Sequence, residues 1–500
     1  MNSKTLFKFS IILTCFLSIL PWVIFGLNGP QSDGARLLVH TLHVYGFVDN
    51  QIFPFDAPAY FWTRGPSLFF APLRYLLPAD YFYWFGSLLM VFIYLFLLFF
   101  LYRSLLKHFQ KYAALLIVLS YGANPFLQQM HYWWMTESVF TLSLIISFSE
   151  FFSFLKYKNE KHFYSLTFFL SLMVFSRSEA MAVCLFFGLL FLFFLISNKF
   201  NSSFLSYINI YFKNIKIKHV VLIFLIPFLL TLPFRIRNLY RFQSFSLNES
   251  IGPNITFYIQ RSGLFSPANG PNSKLLVILA QRILDNPKDP LFETYKNRAE
   301  NILKGQFNYI YPVSFYFAFF RDRKKANKFA VDIFLETIKA HKLKYLKAVI
   351  GGSLHYWLGP YDEGEFEISK NSEAIDFDSS HSMTQTIVPA VLGLNKFSPL
   401  FEKLYYSYRS VYSKFFNIMK KGMFFILPFF FIFLYFKRKY ELFSILSILV
   451  IFQLFMTVSF SFFRGAPSQR YGISFEMFFA LYFVIALVIF IRSLKSTSKI

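Results

Sequence analysis

The chain has 500 residues, of which 56% are hydrophobic and only 15% are charged, whereas an ordinary soluble domain carries about 25% charged residues. A soluble core cannot bury that much apolar surface, and the 74 Phe and 31 Tyr make the surface aromatic as well as aliphatic. The formal net charge is +24, but the Lys and Arg gather at the ends of apolar runs, which excludes a continuous basic stripe for nucleic acid. Both cysteines, Cys15 and Cys184, lie inside apolar runs, which excludes a disulfide framework.

Apolar runs of membrane-crossing length recur along the chain. A transmembrane helix needs about 20 largely apolar residues, with a range of about 17 to 25. The runs near this length are 7–27, 81–102, 112–127, 134–155, 162–176, 179–197, 219–234, 422–437, 441–462 and 473–492. The first resembles a signal peptide, but its length and the lack of a small-residue cleavage site favour a retained span. We therefore predict an all-α polytopic membrane protein with about 10 or 11 transmembrane helices.

Basic residues in the short connections predict the orientation of the spans, because Lys and Arg accumulate on the cytoplasmic side. With the N-terminus inside, the residues on the inner side are Arg103, Lys107, Lys111, Lys156, Lys158, Lys161, Lys199, Lys213, Lys216, Lys218, Lys437, Arg438, Lys439, Arg492, Lys495 and Lys499. The Lys, Phe and Ile bias points to a bacterium. We predict a multi-pass protein of the inner (plasma) membrane with both termini in the cytoplasm. The segment 348–358 is either an eleventh span or a surface helix, and a crossing there would break the alternation.

The connections divide the chain into three parts. Residues 1–234 form an N-terminal transmembrane module of about seven spans, with a first outer loop at 28–80. Residues 235–420 are long enough for a mainly helical extracytoplasmic domain, in which 326–347 has the apolar periodicity of an amphipathic helix. Residues 421–500 form a C-terminal transmembrane module of about three spans.

The outer ends of the spans collect polar and ionisable residues. These are Asp33, Tyr45, Arg64, Glu137, Arg177, Glu179, Arg235, Arg237, Asn238, Arg470 and Tyr471. Taken singly, an Arg here is a snorkelling anchor, and Glu137 is a helix N-terminal charge that meets the helix dipole. Ionisable groups at membrane depth cost about 2.5–3.5 kcal/mol each on insertion scales, so they need partners or a wet cavity. Their concentration on one face favours a polar chamber that opens outward.

The types of these residues point to chemistry on a lipid phosphate. Asp33 follows the first span and is placed to accept a proton. Arg235, Arg237 and Arg470 carry guanidinium groups, which grip a phosphate in a planar, bidentate way. Fixed Arg groups would stabilise the charge on a departing lipid phosphate. This combination fits transfer of a group from a lipid phosphate at the outer leaflet.

The order of these motifs resembles that of the membrane-embedded GT-C glycosyltransferases, a group that includes the protein O-mannosyltransferases and the aminoarabinose transferase of lipid A. The matching motifs are Asp33, Tyr45-Gly46-Phe47, Arg64-Gly65-Pro66, Thr136-Glu137, Arg177-Ser178-Glu179, Pro233-Phe234-Arg235-Ile236-Arg237-Asn238 and Arg470-Tyr471. The resemblance covers 1–260 and 460–490 and hardly touches the residues between. Many relatives have an acidic pair after the first span, whereas Gly34 follows Asp33 here.

The resemblance implies an inverting glycosyltransferase that uses a polyprenyl-phosphate sugar donor. The acceptor would be a lipid, a glycan or a protein, reached among the membrane lipids on the periplasmic or extracellular side. Asp33 would be the general base, Glu137 would orient the acceptor or the base, and the Arg groups would bind the lipid phosphate. The resemblance implies no definite cofactor. Because the second carboxylate of the acidic pair is missing, whether the site binds a divalent metal is left open.

Two other functions stay open. A transporter or flippase of a lipid-linked or anionic substrate would also have an Arg-lined cavity, but alternating access usually brings internal repeats and polar groups near the midplane. A ligase or polymerase of surface polysaccharide would share the donor chemistry. The confinement of polar residues to one face favours the transferase over the transporter.

Overall fold

A computed structural model describes residues 3–25, 71–132, 134, 136–177, 180–197, 215–242, 245, 263–286, 296–305, 320, 323–359, 398–437, 439–464 and 477–497. Within these ranges all regular structure is helical. The prediction of an all-α membrane protein is confirmed.

The described ranges form sixteen α-helices. In chain order they are α1 (Ser3–Ser18), α2 (Leu20–Phe25), α3 (Ala79–Leu105), α4 (Lys111–Gly122), α5 (Pro125–Tyr132), α6 (Glu137–Tyr157), α7 (Glu160–Ser176), α8 (Ala180–Ser197), α9 (Ile217–Phe242), α10 (Pro271–Asp285), α11 (Lys296–Leu303), α12 (Arg323–Ala340), α13 (Lys342–Leu358), α14 (Ser398–Phe436), α15 (Tyr440–Arg464) and α16 (Phe478–Thr497). Every apolar run named above contains at least part of a helix.

Five described helices are long and apolar enough to cross a membrane. The stretches are Trp84–Leu105 in α3, Glu137–Tyr157 in α6, Ile217–Tyr240 in α9, Lys403–Phe436 in α14 and Leu442–Phe462 in α15. Shorter apolar stretches lie in α1, α4, α8 and α16. The helices therefore fit the predicted membrane protein, with five of the spans meeting both the length and the hydropathy that a crossing requires.

Helix α6 forms the centre of the bundle. Its apolar window is 100% buried inside the protein, whereas that of α9 is 22% buried. Serines recur among its buried residues, for example Ser143, Ser147 and Ser153. Small side chains allow helices in a membrane to approach closely, and α3 and α7 pack along α6.

Contacts between helix ends define two ends of the bundle. At one end the Tyr121 hydroxyl of α4 donates to the Met477 carbonyl, 3.0 Å away, just before α16. At the other end Ser104 of α3 reaches Glu150 of α6. Helices α7 and α9 run parallel, because Phe163 lies against His219 and Phe175 lies against Phe234. We name these the outer end, with Met477 and Phe234, and the inner end, with Glu150, after the side that each is predicted to face.

Helices α10 to α13 surround a second, smaller apolar core. Its fully buried members include Leu276, Ile283, Ile302, Ala326 and Ile333. The helical interpretation of this part of the chain is confirmed for the described helices, although α12 ends at Ala340 and α13 begins at Lys342. The amphipathic helix predicted at 326–347 is therefore divided at His341.

Helix α14 is continuous from Ser398 to Phe436. The domain boundary predicted at 420 and 421 therefore falls inside a helix rather than in a linker. The drop in hydropathy at Lys420 and Lys421 marks no break, since backbone hydrogen bonding does not depend on how apolar the side chains are.

Candidate functional site

A buried ion pair joins two of the predicted site residues. An Arg177 guanidinium nitrogen, Nη1, lies 2.7 Å from Glu137 Oε1. The side chains are 8% and 1% exposed. Thr136 lies beside the pair, with its hydroxyl 3.5 Å from Glu137 Oε2. The two residues come from connections about forty positions apart, and the fold brings their side chains into direct contact.

The local fold explains how each partner is placed. Glu137 is the first residue of α6, where a carboxylate also meets the positive end of the helix dipole. Arg177 follows the last residue of α7 in an extended conformation, and its backbone N–H still donates to the Met173 carbonyl. The side chain is thereby released from the helix and directed to α6. The helix-dipole interpretation of Glu137 and its interpretation as a site residue are both compatible with this position.

The segment before Glu137 carries a strained backbone. Trp134 has a φ of 61°, in the left-handed region that costs a bulky residue about 1–3 kcal/mol and is enriched at functional sites. The ring is fully buried and its Nε1 donates to Ser87 Oγ over 3.2 Å. A Cβ atom on Gly86 would lie 2.4 Å from the Trp134 ring. Glycine at position 86 therefore makes room for the conformation that delivers the chain to Glu137.

The neutral His131 of α5 forms hydrogen bonds that hold the start of α6 in place. His131 Nε2 lies 2.6 Å from the Met90 carbonyl oxygen and must donate, since a carbonyl only accepts. His131 Nδ1 then accepts from the Ser138 hydroxyl, also 2.6 Å away. Burial lowers the pKa of His131, which agrees with a neutral ring. The helix α5, the start of α6 and the middle of α3 are thereby fixed to one another.

The end of α9 brings three more predicted residues to the outer end. Arg235 lies with its guanidinium carbon 5.2 Å from the centre of the Phe228 ring and its Nε 3.4 Å from Thr231 Oγ1. Arg237 Nη1 lies 3.4 Å from the side-chain oxygen of the buried Asn238. Phe234, the neighbour of Arg235, lies against Phe175 of α7, the helix that ends next to Arg177.

The other predicted residues, Asp33, Tyr45, Arg64, Glu179, Arg470 and Tyr471, lie outside the described residues. The described part of the site therefore consists of the buried pair and the α9 cluster of Arg235, Arg237 and Asn238.

Two buried cations on α14 were not among the predicted site residues. Arg409 and Lys420 are 5% and 0% exposed. They are about three turns apart and so lie on one face of the helix. The Arg409 guanidinium carbon lies 4.8 Å from the centre of the Phe126 ring. Both positions were assigned to the extracytoplasmic domain, where a cation needs no explanation. Arg409, Ser413 and Lys420 follow one another at helical spacing, and this pattern in the sequence could have predicted that they share a buried helix face.

Tyrosines fix this face of α14 to the outer end. The hydroxyl of Tyr405 donates to the Pro125 carbonyl over 3.0 Å, and that of Tyr412 donates to the Ser120 carbonyl over 3.1 Å. Tyr408 donates to the Ala123 carbonyl between them. Arg409 is therefore held against α5, the helix that leads into Trp134 and Glu137.

An ion cluster around one buried carboxylate at the inner end was also not predicted. Glu150 of α6 is 4% exposed. Its Oε1 lies 2.5 Å from Lys107 Nζ and its Oε2 lies 2.7 Å from His162 Nδ1. Ser104 donates to the same carboxylate. Lys107, one of the basic residues that predict the cytoplasmic side, therefore also pairs with a buried carboxylate.

A second inner-end cluster lies beside it. Glu160 Oε1 is 2.7 Å from Lys218 Nζ, and His219 Nε2 lies 3.2 Å from the same oxygen. Hydrogen bonding from Lys218 lowers the pKa of the Glu160 carboxyl, with a smaller contribution from His219. This cluster connects the starts of α7 and α9, the two helices that run parallel.

Neither end offers a described metal centre. Within the described ranges no group of three or more His, Cys, Asp or Glu side chains could hold a metal ion. The described arrangement instead offers fixed guanidinium groups and a carboxylate locked in an ion pair. Such groups can orient a substrate and stabilise negative charge without reorganisation.

Comparisons with the models of known protein families, with curated proteins and with solved structures find no match to this chain.

Proposed function

We propose that the protein is an integral membrane glycosyltransferase. It moves a sugar from a polyprenyl-phosphate donor to a lipid, glycan or protein acceptor on the extracytoplasmic side of the inner membrane, with inversion at the sugar carbon. The observation that carries the proposal is the buried Glu137–Arg177 pair at the outer end. Its two residues belong to two motifs of the GT-C resemblance.

The pair supports the proposal because its burial costs free energy that stability alone would not require. Burying two charges costs several kcal/mol each before their attraction is counted, and well-packed apolar residues of the same volume are often as stable or more so. In an apolar bundle, such a pair beside a strained Trp134 is better explained by a site than by stability alone.

In this mechanism Asp33 takes the proton of the acceptor hydroxyl as that oxygen attacks the sugar carbon. The bond from the sugar carbon to the phosphate oxygen breaks, and polyprenyl phosphate leaves. Because Arg177 neutralises Glu137, Glu137 serves to position the acceptor side of the site rather than to accept a proton. Arg235, Arg237 and the buried Arg409 are the described cations that could meet the leaving phosphate.

The proposal is tested with purified protein in proteoliposomes. Polyprenyl-phosphate sugars and an envelope extract as acceptor should yield free polyprenyl phosphate and a glycosylated product. Asp33→Asn should stop the release while the protein keeps its thermal stability. Asp332→Asn on α12 is the matched control and should keep full turnover. Normal turnover in Asp33→Asn would remove Asp33 from the mechanism, and the absence of release with every donor would end the proposal.

The inner-end cluster favours a second candidate, a transporter or flippase of a lipid-linked substrate. Helix α6 carries a buried carboxylate near each end, Glu137 and Glu150. Buried ionisable groups at two depths of one central helix are typical of transport pathways. This weakens the argument from polarity on one face.

The two candidates differ in what Glu150 does. If the protein is a flippase, a fluorescent polyprenyl-phosphate sugar should cross proteoliposome membranes intact, and Glu150→Gln should slow that movement. If it is a transferase, Glu150→Gln should lower stability while turnover per folded molecule stays unchanged.

A further inference from the structure

Helix α13 has two apolar faces, and only one of them is packed. Tyr345, Val349, Gly352 and Tyr356 recur at helical spacing and are buried. The opposite face carries Leu343, Leu346, Ile350 and Leu354, which are 77%, 54%, 51% and 47% exposed. An ordinary surface helix has a single apolar stripe, so the second stripe needs a partner.

The charges of α13 lie beside the exposed stripe. At about 100° per residue, the four exposed apolar side chains fall within about 80° of one another. Lys342 falls on one side of the stripe, and Lys344 and Lys347 fall on the other. All three lysines are exposed. A narrow apolar stripe bordered by lysines is the pattern of a helix that lies in a membrane interface, with the lysine heads at the lipid phosphates.

Contacts near the two ends of α13 set the depth of the helix. Tyr345 donates its hydroxyl to the Phe462 carbonyl, near the end of α15. Trp357 Nε1 donates to Thr457 Oγ1 over 3.3 Å, and the Trp357 ring packs on Phe479 at the start of α16. These contacts place the start of α13 at the outer end of α15. Its last turn lies about 7 Å deeper along α15, where the Trp357 ring also packs on Phe424 of α14.

The exposed stripe adjoins the lipid-facing surface of a membrane span. Helix α15 is long and apolar enough to cross a membrane. Its exposed side chains Ile451, Leu454, Val458 and Phe462 recur at helical spacing up to the level of Tyr345. The apolar surface that faces lipid along α15 therefore leads directly to α13.

We propose that α13 is an interfacial helix embedded in the outer leaflet. Leu343, Leu346, Ile350 and Leu354 lie among the acyl chains, and Lys342, Lys344 and Lys347 contact anionic headgroups. The helix does not cross the membrane, because three lysines occupy its first two turns and its exposed stripe is only about 17 Å long. The occupant of this face is the lipid of the membrane, and the role of α13 is to hold helices α10 to α12 against that surface.

This proposal does not depend on the proposed function, since it concerns the contact with lipid alone. It is tested on the full chain in nanodiscs, with Cys15 and Cys184 replaced by Ala. Nitroxides are attached at Leu346→Cys, Ile350→Cys and Leu354→Cys, one at a time. Ile451→Cys on α15 is the lipid-facing control, and Lys274→Cys on α10 is the water-facing control.

The stripe positions should collide readily with oxygen, which partitions into lipid, and several-fold less with a water-soluble nickel chelate than Lys274→Cys does. Nickel collisions as frequent as those at Lys274→Cys would show a water-facing helix and overturn the proposal. Protection from both reagents would show that protein covers the stripe, for example a second copy of the chain, and would overturn it equally.

The lysines are tested separately at the Ile350 nitroxide. Its oxygen accessibility should be higher in nanodiscs with anionic lipid than in nanodiscs of zwitterionic lipid. Replacement of Lys342, Lys344 and Lys347 by Gln should remove that difference. An unchanged dependence on anionic lipid would overturn the assignment of the lysines to the headgroups.

Discussion

The Glu137–Arg177 pair shows how a single residue change can cost more than the interaction that it removes. Each partner is almost wholly buried. Removing one partner leaves an uncompensated charge at an apolar position, which typically costs about 3–5 kcal/mol. Replacing both by Gln leaves two neutral polar side chains and no buried charge, so the penalty is smaller. The two kinds of variant therefore separate the energetic role of the pair from its role in function.

We expect Arg177→Gln alone to lower the stability of the protein more than the double variant Glu137→Gln/Arg177→Gln does. The coupling should be about 1–3 kcal/mol in a double-mutant cycle, as found for residues in direct contact. It is measured by unfolding in detergent, with Arg282→Gln on α10 as an exposed control. If the pair has only a structural role, the double variant should also keep its transferase turnover. Additive single changes would mean that the two side chains are not coupled.

Glycine at position 86 is required by the ring of Trp134. A Cβ atom there would lie 2.4 Å from that ring, so we expect Gly86→Ala to destabilise the protein by about 1–3 kcal/mol through overpacking. Gly422→Ala on α14 is the matched control, since a Cβ atom there meets nothing within 4 Å. The control should be neutral or stabilise its helix by up to about 1 kcal/mol. Equal thermal stability of the two variants would contradict the close contact.

The sequence identified Glu137 and Arg177 as candidates but not as partners. Motif order and predicted topology placed both at the outer end. Their contact depends on how α7 ends, because Arg177 must leave the helix to reach α6. Glu150 was missed because its apolar neighbours hide it in any average of hydropathy, and its partners Lys107 and His162 lie in other connections.

At the scale of whole helices, a distant carboxylate completes α10. The first backbone N–H groups of a helix have no partners within it. Glu336 of α12 supplies the missing acceptors, with Oε1 at 2.9 Å from the Asn272 nitrogen and Oε2 at 2.9 Å from the Ser273 nitrogen. Asn272 and Ser273 also donate to it with their side chains. Two helices are thereby tied together through one carboxylate.

This cap should make the start of α10 sensitive to acid. Burial would raise the pKa of the Glu336 carboxyl, but the hydrogen bonds from Asn272 and Ser273 outweigh it and hold the pKa below its ordinary value. A group with a lowered folded pKa stabilises above its unfolded pKa, about 4.3 for Glu. That stabilisation is lost as the pH falls through the lower folded pKa.

We expect Glu336→Gln to speed hydrogen exchange of the first α10 amides about fivefold at neutral pH, since a lost helix cap costs about 1 kcal/mol. The difference from the unchanged protein should shrink as the pH falls below about 4.3. Asp332→Asn, one turn earlier on α12, is the control and should leave these amides unchanged. A difference that is the same at every pH would show that the charge of Glu336 does not matter.

Elements were easier to predict from the sequence than their ends. Membrane-length apolar runs give helices because every backbone group in lipid must be satisfied within its own segment. The start of α14 was harder to place, since its first half is polar on one face and packs through Tyr405 and Tyr412 on the other. A window average cannot distinguish such a half-buried helix from a loop followed by a span.

At the scale of the whole molecule, buried ion pairs lie at both ends of the helical bundle. Alternating helices bring Met477 and the Glu137–Arg177 pair to the outer end and the Glu150 cluster to the inner end. Polar side chains are therefore buried at both ends, not at one. The proposed site rests on the convergence of motifs at the outer end rather than on an apolar inner end.

The assignment of these ends to the two sides of the membrane is the prediction on which the proposed site most depends. Lys161 at the start of α7 lies at the inner end, and Lys274 of α10 belongs to the smaller helical unit. Both side chains are exposed. The positive-inside rule places the first in the cytoplasm, and the alternation of spans places the second outside.

We therefore expect a membrane-impermeant maleimide to label Lys274→Cys in intact cells and Lys161→Cys only after the membrane is permeabilised. The variants are made in a chain with Cys15 and Cys184 replaced by Ala, and that chain alone is the control for background labelling. Labelling of both positions from one side would mean that an even number of crossings separates Lys161 from Lys274. Labelling of Lys161→Cys in intact cells would place the inner end outside the cell and the outer end in the cytoplasm. That result would remove the proposed site from the extracytoplasmic side, because the lipid-linked donor would then have to be met in the cytoplasm.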